Sequence, residues 1–189
     1  MKIGCVLVMY NPQRELLTAS LNALNEQVDE IFLGDNSVNM PDFITTLLNL
    51  YPNTYYHSFN KNLGIAEAQN RGIIYFQKKG FDFVLFMDQD SLAPNNLVSS
   101  LLADYNRLKE IGIPIGGIGP RPFNRGEGKP YIGAVKKGKL ILPKITEVGE
   151  IISSASLIPI PHFKQVGGME SSLFVDVIDH GWCWRAKKI

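Results

Sequence analysis

Short runs of large apolar residues alternate along the chain with longer stretches in which apolar side chains recur every three or four positions. Residues 2–9 (KIGCVLVM), 30–34 (EIFLG), 53–59 and 81–87 are of the first kind and read as strands. Residues 13–27, 42–50, 65–79 and 95–111 are of the second kind and read as helices, with Leu16, Leu17, Leu21 and Leu24 carrying the spacing in the first. Pro41 leads into the second helix, and Gly80 and Gly112 stop the third and fourth. Strands alternating with helices in this way predict βαβ units, hence an α/β fold with a mostly parallel central sheet flanked by helices. Each of the first four strands ends in a polar cluster: Tyr10-Asn11, Asp35-Asn36-Ser37, Asn60-Lys61-Asn62 and Asp88-Gln89-Asp90. In a parallel sheet these clusters line one edge, and ligands of open α/β sheets bind just outside that edge.

The second half has a different texture. Residues 115–119 read as one more short strand, and 120–144 are rich in Gly, Pro, Lys and Arg. Within that stretch, 131–135 and 139–142 are expected to form a small antiparallel hairpin turned at Lys136-Lys137-Gly138. Residues 151–161 (IISSASLIPIP) suggest a further strand, 163–170 a turn-rich link, and 173–188 a final helix. Without internal repeat or low-complexity tract, a single domain over residues 1–189 is expected. The chain reaches Ile189 inside helix-like sequence with no Gly or Pro stop, which suggests a domain shortened at its C-terminus.

Composition narrows the classes. A formal net charge of +1 gives no reason to expect nucleic acid as a partner. Two distant cysteines, Cys5 and Cys183, make neither a disulfide framework nor a zinc spacing and fit a reducing cytoplasm. No run of 18 apolar residues and no leader-like N-terminus is present, so a cytoplasmic protein is expected. A part beyond the last helix would leave room for peripheral association with the inner face of a membrane. The turn after the first strand carries neither G-x-G-x-x-G nor a P-loop, which argues against dinucleotide-binding and P-loop enzymes.

Chemistry concentrates at three places. Residues 83–87 end in Asp88 and Asp90, a pair that is costly unless a cation joins them; a hydrated divalent ion carrying phosphates fits, and a simple capping turn is the plainer alternative. Asp35 can accept a hydrogen bond from a ribose or base, or close an Asx-turn with Ser37. Asn62 and Gly64 stand at a helix entrance, where free N–H groups attract anions, with Arg71 two turns on, functional or merely solvated. Asp176 and Asp179 are three apart and share one helical face; a carboxylate there, partly covered by Phe174, Trp182 and Trp184, can serve as a general base or simply offset the helix dipole.

Taken in order, Tyr10-Asn11-Pro12, Asp35-Asn36-Ser37, the N-x-N-x-G-x-A-x-A-x-N-x-G pattern over 60–72, Asp88-Gln89-Asp90, Ser153 to Pro159 and residues 174–185 resemble the family 2 inverting glycosyltransferases of GT-A fold. Within that family the chain is most similar to bacterial rhamnosyltransferases that build O-antigen or capsular polysaccharide. The resemblance implies a nucleotide-sugar donor, dTDP-rhamnose or another dTDP- or UDP-sugar, and a saccharide or lipid-linked saccharide acceptor. It implies that Tyr10, Asn11 and Asp35 shape the base and ribose pocket, that Asn62, Gly64 and Arg71 lie beside base and diphosphate, and that Asp88 and Asp90 hold Mg²⁺ or Mn²⁺. Asp179 falls at the family's general base, with Asp176 the alternative. Two departures stand out: the family commonly reads D-T-E-W where this chain has Asp179-His180-Gly181-Trp182, and its members continue well past this helix. A nucleotide-sugar-binding fragment without turnover remains an alternative. So, more weakly, does a sugar-1-phosphate nucleotidyltransferase, whose glycine-rich loop after the first strand is missing.

Overall fold

The computed structural model describes residues 1–121, 123–124, 129–130, 138–173 and 177–188. Its first half alternates strictly: β1 (Ile3–Met9), α1 (Arg14–Leu24), β2 (Glu30–Asp35), α2 (Ile44–Leu50), β3 (Thr54–Ser58), α3 (Ile65–Lys78), β4 (Phe83–Asp88) and α4 (Leu97–Glu110). Two short strands, β5 (Phe123–Asn124) and β6 (Lys129–Pro130), pair with each other, as do β7 (Lys139–Leu142) and β8 (Ile145–Glu147). The chain then returns through β9 (Ser156–Pro159) and closes with α5 (Ile160–Val166) and α6 (Ile178–Ala186).

The central sheet has the order β3-β2-β1-β4-β9, parallel throughout except for β9, which runs antiparallel to β4. Strand side chains alternate between faces, and both faces are covered, which is why β1, β2 and β4 are almost continuously apolar. Cys5, Leu7 and Met9 with Leu33 and Leu85 pack against Leu17, Leu21, Ile44, Leu47, Leu97 and Leu101 of α1, α2 and α4. Val6, Phe32, Val84 and Phe86 face the other way, onto Ala66, Ile73 and Phe76 of α3, Phe163 of α5 and Ile178 and Trp182 of α6.

Three expectations for the second half need correction. Residues 115–119 form no strand; Ile118 makes a single bridge to Leu157, exchanging N–H···O bonds of 3.0 and 2.7 Å. The segment 151–161 contributes only β9, because Pro161 sits in the first turn of a helix, where a missing N–H costs nothing. That helix, α5, occupies much of the expected turn-rich link. Residues 139–142 do form a strand, and its partner among the described residues is β8, reached through Pro143-Lys144 with Lys144 at φ 70°. The expected partner strand, 131–135, lies outside the described residues.

Candidate functional site

The strand order brings the four polar strand ends side by side: Asp35 pairs with both Met9 and Ser58, and Asp88 with Val8. They are also tied to one another. The Tyr10 N–H donates to Gln89 Oε1 at 2.9 Å, and Gln89 Nε2 donates back to the Tyr10 carbonyl at 3.3 Å. The Asn11 N–H donates to Ser37 Oγ at 2.8 Å, with Asn11 in the left-handed region (φ 43°) that asparagine tolerates. Buried Asn36 holds the entrance of α3, donating to the Gly64 carbonyl and accepting from the Leu63 N–H, each at 3.1 Å. Asn62 Oδ1 accepts the Gly64 N–H at 2.9 Å, and Gly64 takes φ 81°, a conformation that favours glycine.

Asp35 is wholly buried. Its Oδ1 accepts the Ser37 N–H at 2.7 Å, closing the Asx-turn, and its Oδ2 accepts the Tyr56 hydroxyl at 2.8 Å. Burial, the bond to Asp35 and that residue's charge push the Tyr56 hydroxyl up to about 12. Asp35 therefore braces the cleft floor from beneath, while Tyr10 and Asn11 stand exposed above it. Arg71 sits six residues into α3, half-exposed and paired with Glu67 at 2.8 Å. It lines a groove of about 450 Å³ with Asn70, Phe163 and Met169, apart from the strand ends.

Asp90 and Asp179 lie close enough to Asp88 for their charges to act on it. Asp88 reaches solvent, yet it sits low in the cleft with protein around much of it. That crowding, and the neighbouring charges of Asp90 and Asp179, push its carboxyl above the ordinary value; contact with the Ser154 hydroxyl pulls the other way. Asp179 lies in the first turn of α6 and accepts the backbone N–H of Ser153 and of His180, each at 2.9 Å. Ser154 Oγ donates to Ser91 Oγ at 2.9 Å, fastening the same loop to the turn after β4. Ala155 completes the loop at φ 63°, its N–H bonded to the Phe86 carbonyl at 2.7 Å. Val177, just before α6, is also left-handed at φ 55°, an unfavourable state for a β-branched residue and a mark of local strain.

Asp176 and Phe174 lie outside the described residues. Trp182 is buried, whereas Trp184, expected to help cover the carboxylates, is half-exposed. The sequence reading gave no site role to Gln89, Ser91, Ser153, Ser154 or Tyr56. The 153–156 run was visible as a motif, but the donation from the Ser153 backbone to Asp179 has no side-chain signature.

The donor set suits a hard cation. Asp88 and Asp90 offer carboxylate oxygens; among the described residues no group of three His, Cys, Asp or Glu is placed to hold a metal ion by itself. Two carboxylates at an open cleft are what Mg²⁺ or Mn²⁺ uses when water and substrate phosphates complete the shell.

The family model for glycosyl transferase family 2 matches residues 5–156. The chain belongs to that family. It is 31% identical over 193 residues to the dTDP-rhamnosyl transferase RfbF of Shigella flexneri, covering 97% of this chain and 62% of that protein. The chain thus spans about three fifths of the length of this curated relative. Among solved structures, S. aureus TarS 1-349 in complex with UDP superimposes with a TM-score of 0.72 at 16% identity, covering 98% of this chain and 55% of that one. GalNAc-T7 with UDP, GalNAc and Mn²⁺ gives 0.71 at 13% identity, covering 98% and 40%. These likenesses establish the GT-A glycosyltransferase fold for this family 2 chain.

Proposed function

We propose that this family 2 chain transfers a sugar, rhamnose from dTDP-rhamnose, to a hydroxyl of a saccharide or lipid-linked saccharide, with inversion, in the synthesis of a bacterial cell-surface polysaccharide. The observation that carries the reading is that the 153–155 loop joins Asp179 to the end of β4 that bears Asp88 and Asp90: Ser153 N–H bonds Asp179, Ser154 bonds Ser91, and Ala155 N–H bonds the Phe86 carbonyl. The 31% identity to a dTDP-rhamnosyl transferase supports the donor, and the complex of TarS with UDP supports a nucleoside diphosphate in such a fold.

In this reading the nucleotide lies across the strand ends, with Tyr10, Asn11, Asn62 and Gly64 around it and Asp35 setting the floor. Arg71 contributes only if it leaves Glu67. Asp179 takes the proton from the acceptor hydroxyl as that oxygen attacks the anomeric carbon, and the bond from that carbon to the diphosphate breaks on the opposite side. The N–H groups of Ser153 and His180 hold the Asp179 carboxylate in one orientation, which serves a base that must meet its proton at hydrogen-bond distance. Asp88 and Asp90 would hold Mg²⁺ or Mn²⁺, which when bound supplies Lewis-acid stabilisation of the leaving diphosphate. Asp176 is the alternative base. We place the reaction in the cytoplasm, at the inner membrane face if the acceptor is lipid-linked; no helix among the described residues is long and apolar enough to cross a membrane.

Calorimetric titration with dTDP and UDP, with and without Mn²⁺, tests the site. Binding should need Mn²⁺ and be lost in Asp88→Ala/Asp90→Ala; metal-independent binding that survives the double substitution removes the metal role. Asp179→Asn should abolish transfer and leave dTDP affinity within about threefold, because a base acts on the acceptor. Retained transfer assigns the base to Asp176, and dTDP binding with no transfer by the parent chain leaves a nucleotide-sugar-binding module.

A further inference from the structure

The segment from Glu150 to Ser153 runs along α6, and both of its ends hold side chains of that helix. At one end the Ser153 N–H fixes Asp179. At the other, Glu150 Oε1 accepts the Trp184 indole N–H at 2.7 Å, and Glu150 Oε2 lies 3.6 Å from His180 Nδ1. The His180 and Trp184 rings are 6.5 Å apart and tilted by 48°. An indole with its N–H anchored and its ring half open to water is a rigid apolar plate beside hydrogen-bonding groups. The nearby Ile152 is also well exposed. Trp182, two residues and about 200° of helix away, is buried with its N–H donated to the Gly167 carbonyl at 3.0 Å, so α6 turns one indole to the core and the other to the open side.

From this geometry we infer that Trp184, His180 and Glu150 form a saccharide subsite, which takes the acceptor ring adjoining the one that carries the reacting hydroxyl. A pyranose presents an apolar C–H face, which the negative π face of an indole attracts, and a rim of hydroxyls, which Glu150 and His180 can bind. Trp184 stands a rise of about 7.5 Å and a turn of about 140° along α6 from Asp179. His180 spans the interval, its Nε2 3.9 Å from Asp179 Oδ1 and its ring 6.5 Å from that of Trp184. A ring on Trp184 is therefore a neighbour of the reacting sugar rather than the reacting sugar itself. The inference rests on the glycosyltransferase reading of the cleft and adds the substrate class: an acceptor of at least two rings.

The chain has two tryptophans, one buried and one exposed, so acrylamide quenching reports mainly on Trp184. Chitobiose, lactose and a rhamnose disaccharide serve as two-ring probes, and methyl α-rhamnopyranoside as a one-ring probe. At least one disaccharide should shield Trp184 from acrylamide, and the monosaccharide should shield it less. By saturation-transfer NMR, Trp184→Phe should keep the disaccharide signal and Trp184→Ala should weaken apparent affinity about tenfold. Calorimetry of the same Trp184→Ala protein with dTDP and Mn²⁺ separates the two readings. Unchanged dTDP binding with no disaccharide protection in the parent overturns the subsite and leaves the glycosyltransferase reading standing. Loss of dTDP binding in the parent overturns that reading instead. Equal disaccharide signals from parent and Trp184→Ala also overturn the subsite.

Discussion

Asp88 holds its proton more tightly in the folded chain than in the unfolded one, because protein surrounds much of it and Asp90 and Asp179 add negative charge. The linkage has a definite sign. Between the ordinary value of 3.8 and the raised folded value the native state binds more protons, so stability falls as pH rises through that window and stays lower above it. Asp88→Asn should therefore raise the melting temperature at pH 7, and the gain should vanish below about pH 4. Since solvent reaches the group, a shift of a degree or two is expected from thermal scans across pH. Added Mn²⁺ should raise the melting temperature of the parent and leave the variant unmoved, because a ligand stabilises only the state that binds it. The residue that serves the proposed clamp is thus one the fold would be steadier without.

Between elements, two glycines show how the same residue answers different demands. Gly72 lies in α3 where it crosses β1; a Cβ there would stand 2.5 Å from Val6 Cγ2 and 3.1 Å from Phe32 Cδ1. Gly181 lies in α6, where a Cβ would meet only Leu173 Cδ1 at 3.7 Å, an ordinary contact. Gly72→Ala should destabilise the protein by about 1–3 kcal/mol through overpacking. Gly181→Ala should stabilise it by about 0.5–1 kcal/mol, the helix-propensity difference. Urea denaturation of both variants checks the pair; equal signs would refute the packing argument. In sequence these positions look alike, each a glycine inside a helical pattern, and only the opposing strand tells them apart.

Over the whole molecule, the sheet was legible because its strands are buried on both faces and so stand out as unbroken apolar runs. The second half was not, since β5 to β9 are short and their order depends on tertiary closure rather than periodicity. α5 was missed because Ile160-Pro161 continues the apolar texture of β9, although Pro161 marks a helix start. In the site, Asp88, Asp90 and Asp179 could be nominated from chemistry. The burial of Asp35 and the pairing of Arg71 with Glu67 depend on partners 21 and 4 residues away, Tyr56 and Glu67. Hydrogen exchange should follow the same division: amides of β1, β2 and β4 slowest, and those of the separate, largely exposed β7–β8 pair exchanging early.

The reversed direction of β9 has a consequence for how such enzymes diversify. A parallel fifth strand would deliver its carboxyl end to the cleft, and the loop before it would open at the far side of the sheet. Running antiparallel, β9 instead presents the loop that precedes it, Ser153 to Ala155, directly beside Asp88. The family match ends at residue 156, the first residue of this strand. In the reading proposed above, the strand ends before that residue serve the nucleotide, and the elements after it, α6 with Asp179 among them, face the acceptor. Variation that suits a new acceptor would then fall around Asp179 rather than on it, leaving the proposed base and the strand ends in place.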